Sequence, residues 1–287
     1  MIKKILKGLG GLAALSVILT LLYLVNLFST KPYSIDHYLG KELVFGLMDS
    51  PEAMTYIGVF DRFNWLTKHN SRLSIPQEDD IEKDIVDLEK SIKTLYKYDD
   101  SKLSDNQRIT KKIAIFDLEN SLKELKEFPY LDYPLNQIGG IHLNTVEFMS
   151  GMHPIRSKSE ANDYIKRVNL IKEVYEGVLK DLEKQAINEI YPPEFVYGHV
   201  IKQLNEFINY SYDDHPLYSQ FMMKVDKLKL SEEDIENLDQ EIKKAIDESV
   251  TPGFKLLLGF MKKTQKNANK NHGIWSQPGG DEYYKLR

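Results

Sequence analysis

Apolar and polar positions divide the chain into an uncharged start and a long stretch of helical periodicity. Gly8 to Thr30 contains no charged residue and is rich in Leu, Ile, Val, Tyr and Phe. As a helix rising about 1.5 Å per residue this run reaches about 34 Å, against a hydrocarbon core of about 30 Å. The pattern predicts a transmembrane helix over 8–30. Lys3, Lys4 and Lys7 before it put the N-terminus in the cytoplasm. The competing reading is a cleaved signal peptide, whose apolar core of about 7–15 residues ends in a small-x-small site. Here Ala13 and Ala14 come too early and Asn26–Thr30 makes a poor site. The expectation is therefore residues 1–30 as a single-pass anchor in the cell membrane, with the following domain on the periplasmic or extracellular side.

Residues 31–42 read as a polar linker, and 43–287 as a helical domain. Apolar clusters at Leu43–Met48 and Met54–Trp65 predict two short helices, with Ser50 as the cap of the second and Pro51 at its first position. Ile81, Ile85, Leu88, Ile92 and Leu95 recur at steps of three and four, one apolar helical face. Ser104 with Gln107 forms a capping box opening a helix that carries Ile115, Leu118, Leu122 and Leu125 and ends before Pro129. The longest helix is expected from about Ser159 to Ile190, along Tyr164, Val168, Ile171, Tyr175, Val178 and Leu182. Pro192-Pro193 stops it and starts the next, carried by Val196, Val200, Leu204 and Phe207. Ser231 begins another through Ile235, Leu238, Ile242 and Ile246, and Thr251-Pro252 breaks and restarts the chain toward Lys270. Tyr130–Tyr133 and Ile138–Leu143 are the two short stretches that could form strands, and Gly139-Gly140 interrupts the second, where an irregular crossing is expected. The fold class is all-α.

Charge and composition exclude several functions. Removing Lys3, Lys4 and Lys7 from the 38 basic residues leaves 35 against 43 acidic ones, a net −8 for the rest of the chain, which has no general attraction for nucleic acid. No residue is cysteine, so disulfides, thiolate metal sites and a lipid-bearing cysteine are absent from the sequence. None of the seven histidines (His37, His69, His142, His153, His199, His215, His272) is four residues from another or followed by Glu. The His-Glu-x-x-His zinc motif is therefore missing, as are a Gly-x-Ser-x-Gly elbow and a phosphate loop. Carboxylate pairs such as Asp79-Asp80 and Glu232-Glu233 lie in charged segments and read as solvated surface.

Three polar segments interrupt the helices: Tyr133–Gly140, Met152–Ser157 and Gly273–Tyr284. One reading is structural, with Ser157 or Ser159 capping the long helix and Gly279-Gly280 turning the chain. The functional reading makes them walls of a groove for an extended ligand, with Tyr133, Asn136, Gln137, His153, Arg156, Trp275 and Tyr283 as candidate contacts.

The motifs Tyr-Pro-Leu-Asn-Gln-Ile-Gly-Gly at 133–140, Met-His-Pro-Ile-Arg-Ser at 152–157, Ile-Tyr-Pro-Pro-Glu-Phe-Val at 190–196 and Gly-Ile-Trp-Ser-Gln-Pro-Gly-Gly-Asp-Glu-Tyr-Tyr at 273–284 resemble, in order and spacing, the DUF885 family of bacterial proteins. The resemblance covers about residues 35–287. It implies the N-terminal half of a large helical fold similar to gluzincin-type zinc carboxypeptidases, whose zinc motif lies in a C-terminal half. No zinc ligand or catalytic Glu carries over to any residue here, and no cofactor is expected in this chain. The implied function is the substrate-groove half of an exported metallopeptidase-like protein, inactive alone, with a C-terminal half or a peptide as partner. A non-enzymatic helical envelope module binding a protein partner is the alternative.

Overall fold

A computed structural model of the chain describes residues 2–287, except for the side chains of residues 2–10 and of Leu12. Its elements are helices joined by short turns. Among the described residues the sole β-type pairing is a bridge between Pro193 and Asn269. The chain divides into two compact units, Met1–Leu47 with Asp84–Leu122, and Met48–Lys83 with Lys123–Arg287.

The first unit draws on α1 (Ile2–Leu27), α2 (Ile35–Asp49), α5 (Asp80–Tyr96) and α6 (Asp105–Glu127). Its core is Ile35, Tyr38, Leu95, Tyr98 and Ile115. Burial of Ile35 and Tyr38 explains why α2 starts at Ile35, inside the stretch expected as linker. Tyr98 donates to the Pro32 carbonyl at 2.7 Å, and burial pushes its hydroxyl pKa up to about 12. The capping box forms as expected: the Gln107 amide donates to Ser104 Oγ at 3.3 Å, and the Ser104 amide to Gln107 Oε1 at 3.0 Å.

The expected transmembrane anchor over 8–30 is corrected by the structure. Among the described residues no helix is long and apolar enough to cross a membrane. α1 ends at Leu27 rather than Thr30, where Asn26 turns the chain: its carbonyl accepts from Ser29 N at 3.1 Å and its Oδ1 from Tyr33 N at 3.0 Å. The side chains of Lys3, Lys4, Lys7 and Gly8–Gly10, on which the orientation argument rested, lie outside the described residues. The single-pass topology falls with the transmembrane helix.

The second unit holds α3 (Pro51–Ile57), α4 (Asn64–Thr67), α7 (Ile141–Glu147), α8 (Lys158–Ile187), α9 (Glu194–Asn209), α10 (Pro216–Val225), α11 (Glu232–Ala245), α12 (Thr251–Thr264) and α13 (Gly280–Leu286). Ser50 caps α3 by accepting from the Ala53 amide, with Pro51 next. The single helix expected over 54–65 is instead cut at Gly58, whose φ of 70° ends α3 in the left-handed region. α8 is the central element. Ser157 caps it, and Tyr164, Val168, Ile171, Tyr175, Val178 and Leu182 form its buried stripe as their spacing predicts.

α12 packs along α8 and α9. It is not separated from α11 by a break at Pro252. A π-helical turn over Ile246–Val250 carries the chain straight on, and Pro252, at the first positions of α12, needs no acceptor for an amide hydrogen it lacks. Ser249 in that turn reaches into α8, accepting from the Lys172 amide at 3.0 Å and donating to the Asn169 carbonyl at 2.9 Å. The helices approach closely enough that a Cβ on Gly253 would sit 2.9 Å from Tyr175 Cδ2 and 3.3 Å from Lys172 Cα. Gly253→Ala is therefore expected to lower stability by about 1–3 kcal/mol through overpacking, despite Ala being the better helix former. Denaturant unfolding of the variant measures this; unchanged stability would mean that the contact is looser than described.

Candidate functional site

The strongest concentration of buried polar chemistry lies in the second unit, where α8 meets the segment from α3 to Leu73. At its centre is Arg167, fully buried on the apolar stripe of α8, one turn after Tyr164 and one before Ile171. Its Nε donates to the Arg72 carbonyl at 2.7 Å. Nη2 donates to the carbonyls of Pro51 at 3.1 Å and His69 at 2.7 Å, and to Thr55 Oγ1 at 2.8 Å. Nη1 meets His153 Nδ1 at 3.0 Å, and the guanidinium lies over the Phe148 ring, 5.0 Å from its centroid. Neutral oxygens and one imidazole nitrogen surround this cation. Burial lowers its pKa to about 10, opposed by the charges of Glu52, Asp163 and Asp61, so it stays charged at neutral pH.

Arg167 fixes the state of His153. A guanidinium only donates, so Nδ1 must accept, and the ring carries its proton on Nε2, which points to the Glu160 carbonyl at 3.3 Å. Burial, and then the Arg167 charge, push the His153 pKa down to about 3. His69, also fully buried, lies between Thr67 Oγ1 at 2.7 Å and Asp61 Oδ1 at 3.4 Å; burial lowers its pKa against the pull of Asp61. Asn70 accepts from Thr55 at 2.7 Å, while Asn64 bridges the Asn70 amide and Asp163 at 3.0 Å each. At the surface Arg156 ties Asp61 at 2.7 Å to Glu160 at 2.8 Å, which raises its own pKa further.

The sequence candidates are spread over three places in this unit. His153 and Arg156 belong to the Arg167 network, His153 enclosed and Arg156 half exposed. Asn136 shapes its own loop, accepting from the amides of Ile138 at 3.0 Å and Gly139 at 2.8 Å and donating to the Tyr133 carbonyl at 3.1 Å. The Gln137 carbonyl accepts from Gln203, which also meets His142. Tyr133 and Tyr283 join a satellite cluster with Leu131, Phe128 and Ile190. Burial pushes Tyr133 up to about 12, opposed by a hydrogen bond with Gln277. Tyr283 packs edge-on against Phe128 and lies 3.3 Å from Glu124. Trp275, in the turn before α13, is 64% exposed. The cavity beside Tyr133, walled by Leu135, Gln185, Tyr191 and Tyr197, has a volume of about 10 Å³, room for one water at most.

Sequence reasoning missed Arg167, Thr55, His69 and Asn70. Arg167 did leave a signal, a charged residue at a phase of the long helix otherwise reserved for apolar side chains. The other three act by folding toward it, which no local pattern encodes. Chemically the cluster can hold and orient but offers no open nucleophile: Asp61 and Glu160 are engaged by Arg156 and Asp163 by Lys166 and Asn64, while Arg167, His69 and His153 are sealed from solvent. Zinc finds no fitting donor set, because among the described residues no three His, Asp or Glu side chains converge.

The family of bacterial proteins of unknown function DUF885 matches residues 51–287, and the chain belongs to it. The match begins at Pro51, whose carbonyl Arg167 holds. The fold is similar to that of a crystal structure described as the "putative lipoprotein" from Colwellia psychrerythraea, at 19% identity and a TM-score of 0.70. The similarity covers 83% of this chain and 43% of that one, so the chain spans less than half the length of the matched protein. No curated protein matches it.

His153 gives a pH prediction. Its folded pKa lies below the unfolded value of about 6.5, so its contribution is complete above that pH and is lost as pH falls toward about 3. At pH 5 the loss from this residue is about 2 kcal/mol. His153→Asn, which keeps an acceptor for Arg167 but cannot titrate, is expected to flatten the stability decline between pH 7 and 5. Equal declines in both proteins, measured by denaturant unfolding, would contradict the assignment.

Proposed function

We propose that this chain is the helical, non-catalytic half of a longer metallopeptidase-like protein of the DUF885 type, working in the bacterial cell envelope. The observation that carries this reading is one of proportion: the architecture accounts for 43% of the Colwellia protein, where it is one part of a larger molecule. That protein's description as a lipoprotein supports an envelope setting. Zinc and its chemistry enter with a separate C-terminal half; this chain contributes a helical wall. Arg156 and Trp275, the candidates with the most exposed side chains, are the groups an extended peptide would meet, while Asn136, His153 and Tyr283 hold the wall in shape.

The second reading, a non-enzymatic envelope module that binds a protein partner, draws on the second unit's self-contained core, in which α8 to α12 bury one another. The first reading predicts that the purified chain with added zinc hydrolyses no peptide, and that a frame encoding His-Glu-x-x-His lies directly downstream of codon 287. Hydrolysis by this chain alone overturns it. The absence of such a frame leaves the second reading in its place.

A further inference from the structure

The outward face of segment 56–66 is unusually apolar. Tyr56, Val59, Phe63, Trp65 and Leu66 are each more than half exposed, Trp65 at 75%. The reason is the inward commitment of their neighbours: Thr55 and His69 bond Arg167, Asn70 bonds Thr55, and Met54 is buried, which leaves the larger side chains outside. Five such side chains within eleven residues are a denser apolar concentration than the singly scattered surface residues of an ordinary monomer. Trp, Tyr and Arg are the residue types most often found at binding hot spots. Arg62 and Lys68 flank the patch, both exposed and without an ion pair among the described residues, so a basic rim marks a chain of net charge −5.

The complement of that surface lies further along α8. An open groove of about 510 Å³ has an apolar floor of Ile75, Pro76, Leu179 and Leu256. Glu173 and Glu183 line its rim together with Glu176, which Lys172 already pairs, and Lys180 is the one cation among its lining residues. The groove is preformed, because Pro76 presses so closely on α8 that a Cβ at Gly177 would lie 2.6 Å from its carbonyl oxygen. The patch is tied to α8 at Asp163 through Asn64 and the groove begins at Glu173, so about 15 Å of one rigid helix separates them. They cannot close on each other within a molecule.

We propose, beyond the functional reading above, that the patch of one copy docks in the groove of a second copy, head to tail. Trp65 and Leu66 meet the apolar floor, and Arg62 and Lys68 face Glu173 and Glu183. The two surfaces differ, so the contact is heterologous and extends to further copies unless its rotation closes a ring. Charges at the rim make it weaker as salt rises.

The test uses the full chain with one introduced surface cysteine for labelling, which the cysteine-free sequence makes unambiguous. W65S/L66S removes the patch and E173K/E183K the groove's acidic rim. Donor- and acceptor-labelled copies are mixed and energy transfer is titrated with concentration. Any association through the apolar N-terminal helix is common to all the proteins and cancels. The expected result is at least tenfold weaker association of each variant with itself than of wild type, and recovery when W65S/L66S is mixed with E173K/E183K, because that pair retains one intact patch and one intact groove. Equal transfer in all mixtures overturns the proposal. So does loss in W65S/L66S alone with E173K/E183K unaffected, which would mean patch-to-patch contact. Binding of wild type to phosphatidylglycerol vesicles that W65S/L66S abolishes, without self-association, would assign the patch to lipid and overturn it too.

Discussion

A buried guanidinium must find acceptors for its donors or cost several kcal/mol, and that requirement organises the second unit. Arg167 meets it with three main-chain carbonyls, from Pro51, His69 and Arg72, and with the side chains of Thr55 and His153. Carbonyls can converge on one point only if the chain bearing them is curled around it. The left-handed residues Gly58 and Lys68, the short α4 and the turn at His69–Ser71 are that curl. His153 is held in one tautomer, and Phe148 covers the open side. The π-helical turn that presents Phe148 and leads to His153 is itself steadied by Lys224, which donates to the carbonyls of Ser150 at 2.8 Å and His153 at 3.0 Å.

The same constraint separates what faces inward from what faces out. Polar and small groups of residues 51–72 turn to Arg167, and the aromatic ones are left on the surface. Stability and surface chemistry are thus two sides of one short segment. A cluster this enclosed suits a protein that positions other groups better than one that reacts through its own.

The helical architecture was largely legible in the sequence. The stripe of α8, the cap at Ser157 and the capping box at Ser104 and Gln107 are local patterns, and local patterns survive folding. The break at Gly58 and the unbroken passage through Pro252 were not, because each depends on what packs alongside: the curl around Arg167 in one case, Ser249 reaching into α8 in the other. A run of uncharged residues does not by itself define a membrane-crossing helix, and Asn26 closes α1 inside that run, at Leu27. Among the polar candidates, residue type pointed to hydrogen bonding, and hydrogen bonding is what Asn136 and His153 do. The bonds go to their own loop and to a buried arginine, partners that spacing alone cannot identify.

Hydrogen–deuterium exchange on Arg167→Gln against wild type tests the central claim most directly. Glutamine keeps polarity and fits the space but cannot span the five partners. The account predicts that amides in 51–72 lose protection while α9 to α12 keep theirs. Unchanged protection in 51–72 would contradict it, since the segment would then be held by something other than Arg167.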